Sequence, residues 1–136
     1  LWDHDREKLA PADKIRRIVF CTGKVYYDLL QERRDRNIEN IVLLRVEQLY
    51  PFPADLIAKE LKTYPNADVV WCQEEPKNMG AWSFVSPHID DVMEEAGHKA
   101  GRVRYIGRAE AAATATGLMS RHVAQQKALV DEALSV

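Results

Sequence analysis

The residues able to do chemistry in this 136-residue sequence stand in four places, each directly after a run that reads as a β-strand. Thr22-Gly23-Lys24 follows the first run, Glu47-Gln48 the second, Gln73-Glu74-Glu75-Pro76 the third and Gly107-Arg108 the fourth. In open α/β sheets, ligands collect beyond the carboxyl ends of the strands, where helix amino termini offer free N–H groups. The chemistry this supports is anion binding. A phosphate resting on a helix amino terminus beside Lys24, with Arg108 reaching in from the fourth strand, needs only backbone donors and two cations. The competing reading is a strand-to-helix turn that uses Gly23 only because a small residue is required. One glycine makes neither the G-x-x-x-x-G-K-[ST] of a P-loop nor the G-x-G-x-x-G of a dinucleotide turn.

Other chemistries are excluded by spacing. Glu74 and Glu75 are adjacent, and neighbours on extended backbone point to opposite sides, so they do not face one substrate as the acid and base of a glycosidase do. Capping, or an ion pair to a neighbouring domain, is their expected use. His4, His88, His98 and His122 share no metal-ligand spacing, so no metal site is expected. Cys21 and Cys72 lie in apolar runs without a C-x-x-C and read as buried, reduced thiols of a reducing compartment. There is no G-x-S-x-G elbow. A receiver domain would need an acidic pair after the first strand and an aspartate after the third, where Thr22 and Gln73 stand. With 19 basic against 21 acidic side chains and a net charge of −2, no overall field draws the chain to nucleic acid or an anionic membrane. Nor is there a signal peptide or an apolar run of about 20 residues able to span a bilayer.

The elements that must position these residues follow from periodicity. Strand-length apolar runs alternate four times with amphipathic runs, which predicts a three-layer α/β/α domain on a mostly parallel sheet of four to five strands. The strands are expected at Ile18 to Cys21, Ile41 to Val46, Asp68 to Cys72 and Arg102 to Ile106. A helix from Lys24 to about Arg36 follows the first. A second begins at Pro53 or Ala54, buries Leu56, Ile57 and Leu61, and ends before Pro65. The stretch from Trp82 to Ala96 reads as a helix broken near Ser86-Pro87 and stopped by Gly97. A last helix, from about Leu118 to Leu134, sets Val123, Lys127, Val130 and Leu134 along one stripe. Residues 1–14, LWDHDREKLAPADK, are charged and aperiodic and read as the remnant of a linker, leaving 15–136 as the domain and pointing to a longer parent polypeptide.

Four segments go beyond a generic α/β pattern: TGKVYYDL (22–29), RVEQLYPFP (45–53), QEEPKNMGAW (73–82) and GRAEAAATATG (107–117), the last followed by HVAQQ (122–126). In order and spacing they resemble the C-terminal domain of the thiamine-diphosphate-dependent decarboxylating components of 2-oxoglutarate dehydrogenases, over about residues 15–134. That resemblance implies a transketolase C-terminal-like fold. It implies a parent that decarboxylates 2-oxoglutarate in the citric acid cycle and passes the succinyl group to the lipoyl arm of a dihydrolipoyl succinyltransferase, with thiamine diphosphate and magnesium. The parent is expected in the bacterial cytoplasm, or in the mitochondrial matrix of a eukaryote. In that family the cofactor lies between two preceding domains, so no catalytic or cofactor-binding residue is expected in this chain, and the chain alone is expected to be inactive.

What the resemblance leaves to this chain is assembly and regulation. It implies contacts with the other domains of its own chain and with the second subunit of a homodimer, with Met79, Gly80 and Trp82 as interface anchors. Some relatives carry an acyl-CoA or nucleotide effector pocket here, and Thr22 and Arg108 match its positions; with Gly23 and Lys24 of the same turn they form the candidate effector site. Ile38 departs from that pattern, standing where a further basic residue is expected. The alternatives are a stand-alone acyl-CoA or nucleotide-binding module, a free-standing transferase or hydrolase, and the equivalent domain of a pyruvate or branched-chain 2-oxoacid dehydrogenase. Against the last stand EEP-x-NMGAW and the YPFP loop.

Overall fold

Nearly unbroken apolar runs become strands covered on both faces, as a parallel sheet requires. The computed structural model describes residues 1–110 and 119–136. Its elements are β1 (Arg17–Cys21), α1 (Val25–Asp35), β2 (Ile41–Arg45), α2 (Ala54–Thr63), β3 (Asp68–Pro76), α3 (Trp82–Ala96), β4 (Arg104–Arg108) and α4 (Met119–Ala133). The four strands pair in the order β2-β1-β3-β4, every pair parallel. Alternate residues of each strand feed opposite faces. Ile18, Phe20, Val42, Leu44, Val69 and Trp71 pack with Ile57 and Leu61 of α2 and Val85 and Ile89 of α3. Val19, Cys21, Leu43, Val70 and Cys72 pack with Leu29 of α1 and Leu129 and Val130 of α4. The expected three-layer α/β/α arrangement is present, with four parallel strands among the described residues.

Several boundaries and burials differ from the pattern-based expectation. Leu56, expected in the core, is 52% exposed, while Ile57, Glu60 and Leu61 form the inner face of α2. A residue next to Ile57 stands about 100° round the helix, which turns Leu56 away from the sheet. Across Pro87, α3 is continuous rather than broken. Pro87 is exposed, and the carbonyl its ring leaves without a donor belongs to the exposed Ser83, where water can serve it. Gly97 ends α3 in the left-handed region (φ 62°), with its N–H on Glu94 O and that of His98 on Met93 O. In α4, Val123 (57% exposed) and Lys127 face solvent, and Leu129, Val130, Ala133 and Leu134 form the buried line. The first half of α4 lies past the strand ends, where its glutamines meet Arg108. β3 runs on to Pro76 and β4 is displaced to Arg104–Arg108, because the bonding between them resumes after a register shift between Cys72 and Pro76.

The charged stretch at residues 1–14 lies along the open edge of β2. Trp2 O accepts the Arg45 N–H at 2.9 Å, and Asp3 Oδ2 accepts the Leu43 N–H at 2.9 Å, so a side-chain oxygen stands in for a missing neighbour strand. The fully buried Arg33 grips Asp3 through both Nη atoms, at 2.7 and 2.6 Å, and donates to Ile41 O at 3.0 Å. Asp5 pairs with Arg34 and Arg6 with Glu60, each at 2.7 Å, which accounts for the charge and missing periodicity of the segment. At the opposite end of the sheet, the buried Arg17 pairs with Asp68 and donates to Glu132 O, Ala133 O and Ser135 O, satisfying carbonyls at the end of α4.

Removing one partner of a buried ion pair strands the other charge. Arg33→Met is expected to lower the unfolding free energy by about 3–5 kcal/mol, read from urea denaturation. Asp3→Leu combined with Arg33→Met recovers a large part of that loss. A single variant as stable as the parent would mean that Asp3 is solvated instead of sequestered.

Candidate functional site

The strand order 2-1-3-4 reverses direction between β1 and β3, and a doubly wound sheet opens a crevice at that switch point. Thr22 leaves β1 on one side of it, and Glu74 lies toward the end of β3 on the other. Gly23 has φ +77° with open space around it, so the turn needs glycine for its backbone conformation alone. That turn places the exposed Lys24 at the amino end of α1, with its Nζ 2.7 Å from Glu74 Oε1. The carboxylate beside it raises the Lys24 pKa above the ordinary lysine value.

Arg108, at the end of β4, reaches the same carboxylate from the far side through a relay. Its guanidinium donates to the backbone carbonyl of Glu74, to Gln125 Oε1 at 3.1 Å and to Gln126 Oε1 at 3.0 Å, with His122 Nδ1 3.4 Å away. Gln126 Nε2 then donates to Glu74 Oε1 and Asp28 Oδ2, each at 2.8 Å. Thr22, Lys24 and Arg108 are therefore brought to one edge, but Glu74 stands among them. Lys24 is thus already neutralised by a carboxylate, which any anion at this edge would have to displace. The groove beside it, about 380 Å³ between α1 and α4, is lined by Asp28, Glu32 and Asp131 together with His122 and Lys127, and Arg36 pairs with Glu32 and Asp131. Ile38 packs on the core of that face and is not a ligand.

Sequence reasoning missed the glutamines that hold Arg108. They stand in the HVAQQ segment, yet they meet Arg108 across 17 and 18 residues of sequence, and no local period announces that. It also missed Arg45 at the end of β2, whose Nη1 donates to Tyr27 Oη at 3.0 Å while its buried Nε has no partner. Residues 111–117 of the quoted GRAEAAATATG segment, and Leu118, where the last helix is expected to begin, lie outside the described residues.

The loop 73–82 is built around one buried amide. Gln73 Oε1 accepts from Trp71 Nε1 at 2.9 Å and from the Trp82 N–H at 3.0 Å. Its Nε2 donates to Glu75 O, Pro76 O and Met79 O at 3.1, 3.0 and 2.8 Å. Gly80 sits at φ +66°, where a Cβ would stand 3.0 Å from Glu75 Cβ and 3.2 Å from Gln73 Nε2. Tyr105 closes the loop with its hydroxyl, which donates to Arg108 O at 2.5 Å and lies 3.2 Å from Glu75 O, and by packing edge-on against Trp82, with ring centroids 5.3 Å apart. Burial pushes the Tyr105 phenol up to about 12. Of the expected anchors, Gly80 is exposed, while Met79 and Trp82 are half-buried on the same turn. Lys77 N–H on Arg108 O, at 3.1 Å, joins this loop to the strand-end cluster.

Among the described residues, the two thiols are buried and Glu74 is already bonded. Cys21 and Cys72 are register partners on adjacent strands, free and buried, and burial holds both thiols above their usual range, Cys72 at about 12. Glu74 is engaged by Lys24 and Gln126, and Glu75 turns to solvent, as adjacency on extended backbone demands.

Residues 1–134 match the family described as 2-oxoglutarate dehydrogenase C-terminal. The chain is 54% identical over 140 residues to the 2-oxoglutarate dehydrogenase E1 component of Brucella abortus (strain S19). It is 57% identical over 140 residues to the proteins of the same name from Brucella anthropi and Brucella ovis. Each alignment covers 98% of this chain but only 14% of the relative, so the chain spans about a seventh of the length of the curated relatives it matches.

The Gln73 amide is the part of this edge most sensitive to substitution. Gln73→Met keeps the volume but leaves buried donors and carbonyls unpaired, and it is expected to cost at least about 2 kcal/mol in denaturant unfolding. Amide hydrogen exchange across residues 74–82 should accelerate with it. Unchanged exchange would mean that the loop holds its shape by other contacts.

Proposed function

Because this chain belongs to the 2-oxoglutarate dehydrogenase C-terminal family, we propose that it is the C-terminal structural and assembly domain of a longer enzyme. That enzyme oxidatively decarboxylates 2-oxoglutarate and transfers the succinyl group to the lipoyl arm of a dihydrolipoyl succinyltransferase. The observation that carries the reading is the match of nearly the whole chain to relatives named as the E1 component of that dehydrogenase. Supporting it, the polar groups at the strand ends serve as struts: Lys24 and Arg108 are committed to Glu74 and to the glutamines of α4.

Thiamine diphosphate and magnesium do not fit the residues present. Among the described residues no group of three or more His, Cys, Asp or Glu side chains is arranged to hold a metal ion, and Glu74 is held by a lysine. We therefore assign those groups to the rest of the parent chain. The loop bearing Met79, Gly80 and Trp82 is our candidate contact with the second subunit of a homodimer, since the Gln73 amide preorganises it and Gly80 leaves its turn open to approach. Among the described residues no helix is long and apolar enough to cross a membrane. With bacterial relatives, the cytoplasm is the location we propose.

Regulation is assigned to the edge formed by Thr22, Gly23, Lys24 and Arg108, with the phosphates of an acyl-CoA or nucleotide as the ligand. What supports it is the pair of cations beside the amino end of α1. What opposes it is Glu74, whose carboxylate occupies the place of the phosphate.

Two measurements test this section. With thiamine diphosphate, magnesium and 2-oxoglutarate, the full-length protein ending in this chain should turn over, and this chain alone should give none; turnover by the chain alone overturns the assembly reading. Calorimetric titration with acetyl-CoA and with AMP should give heat that grows in Glu74→Gln, which frees Lys24, and disappears in Arg108→Ala. No heat at millimolar ligand in parent and Glu74→Gln alike disposes of the effector site.

A further inference from the structure

One face of the molecule is apolar without being covered. Tyr50 is 83% exposed, Leu56 52% and Phe84 40%. Leu56 serves nothing within this chain, since Ile57 and Leu61 already fill the inner face of α2. The patch is also rigid. Pro51 and Pro53 hold the loop that presents Tyr50, and the Phe52 ring stacks on His88 at 4.9 Å and meets Phe84 edge-on at 6.3 Å. Rings fixed in place lose little freedom on meeting a partner. Between this loop and the start of α2 lies a groove of about 340 Å³, walled by Val46, Phe52 and Leu56.

Pro51 and Pro53 also line the groove, Glu47 and Gln48 give it a polar rim, and Leu1 lies against it. The backbone is pinned there by the Arg45 N–H on Trp2 O, so any chain preceding Leu1 must emerge at the patch. The relatives place a great deal of chain upstream: this sequence accounts for 14% of their length and matches a C-terminal family. A few extended residues, at roughly 3.3–3.6 Å each, carry such a segment from Leu1 across the groove.

We propose that the face formed by Tyr50, Phe52, Leu56 and Phe84 is the docking surface for the segment that immediately precedes Leu1 in the full-length chain. That segment lays apolar side chains into the groove and fixes this domain to the rest of its own polypeptide. The inference rests on the reading of this chain as the C-terminal part of a longer enzyme, and goes beyond it by naming the surface and its occupant.

The test uses the full-length native protein. Tyr50→Cys and Leu56→Cys are labelled with a maleimide, each site is read by mass spectrometry, and the same variants in denaturant give the reference for full labelling. Both cysteines are expected to stay unlabelled in the native state and to label completely when unfolded. A photo-crosslinking residue at position 56 is expected to capture the segment next to Leu1 in the same chain. Native labelling at both sites overturns the docking surface, and cross-links to a second copy or to another protein overturn the occupant. Recovery of the native protein at 15.5 kDa would instead sink the underlying reading of a longer parent. The two failures are thus distinguishable.

Discussion

β1 is hydrogen-bonded on both sides in parallel register, with Arg17 opposite Ile41 and Asp68, and Cys21 opposite Arg45 and Cys72. Parallel pairing forces all strand ends to one edge and all strand starts to the other, because every connection must cross back over a face. From this follow the two helical layers, the crevice between β1 and β3, and the gathering of Thr22, Glu74 and Arg108. It also follows that the middles of the strands are mostly apolar, since both faces of the sheet are covered. Polar chemistry is confined to the ends, and there it is used for bonding within the domain.

Each end is secured by a polar group placed where backbone would otherwise lack a partner. Arg17 serves the last carbonyls of α4, Asp3 serves the free edge of β2, and Gln73 serves the carbonyls of its own loop. Buried polar groups left unpaired are costly, so these residues restrict which arrangements of the chain are tolerable as much as they stabilise this one. Glu74 belongs with them. It binds Lys24 and Gln126, which makes the strand-end edge a lock between α1, β3 and α4. Through that double duty a single carboxylate ties three elements together.

Two surfaces of the domain differ in character. The turn carrying Gly80 is tied to the sheet through Tyr105 and the Gln73 amide. The face around Leu56 is apolar and lies beside the point where the chain begins.

Much of this was legible in the sequence. Covered strands read as apolar runs, and Gly97 ended its helix as a left-handed residue, because both are local consequences of side-chain type. The segments QEEPKNMGAW and RVEQLYPFP identified the family for the same reason: contiguous residues carry a contiguous loop. What the tertiary structure alone decided involves partners far apart in sequence. Leu56 fits the helical period yet faces outward, since burial depends on where α2 lies against the sheet. Residues 1–14 show no period because what organises Asp3, Asp5 and Arg6 is Arg33, Arg34 and Glu60, supplied by helices well downstream. The strand-end cations were visible as residue types, but the carboxylate among them became apparent only when parallel pairing set β3 beside β1. Periodicity reports the local face of an element, and charge pairing is settled by which elements become neighbours.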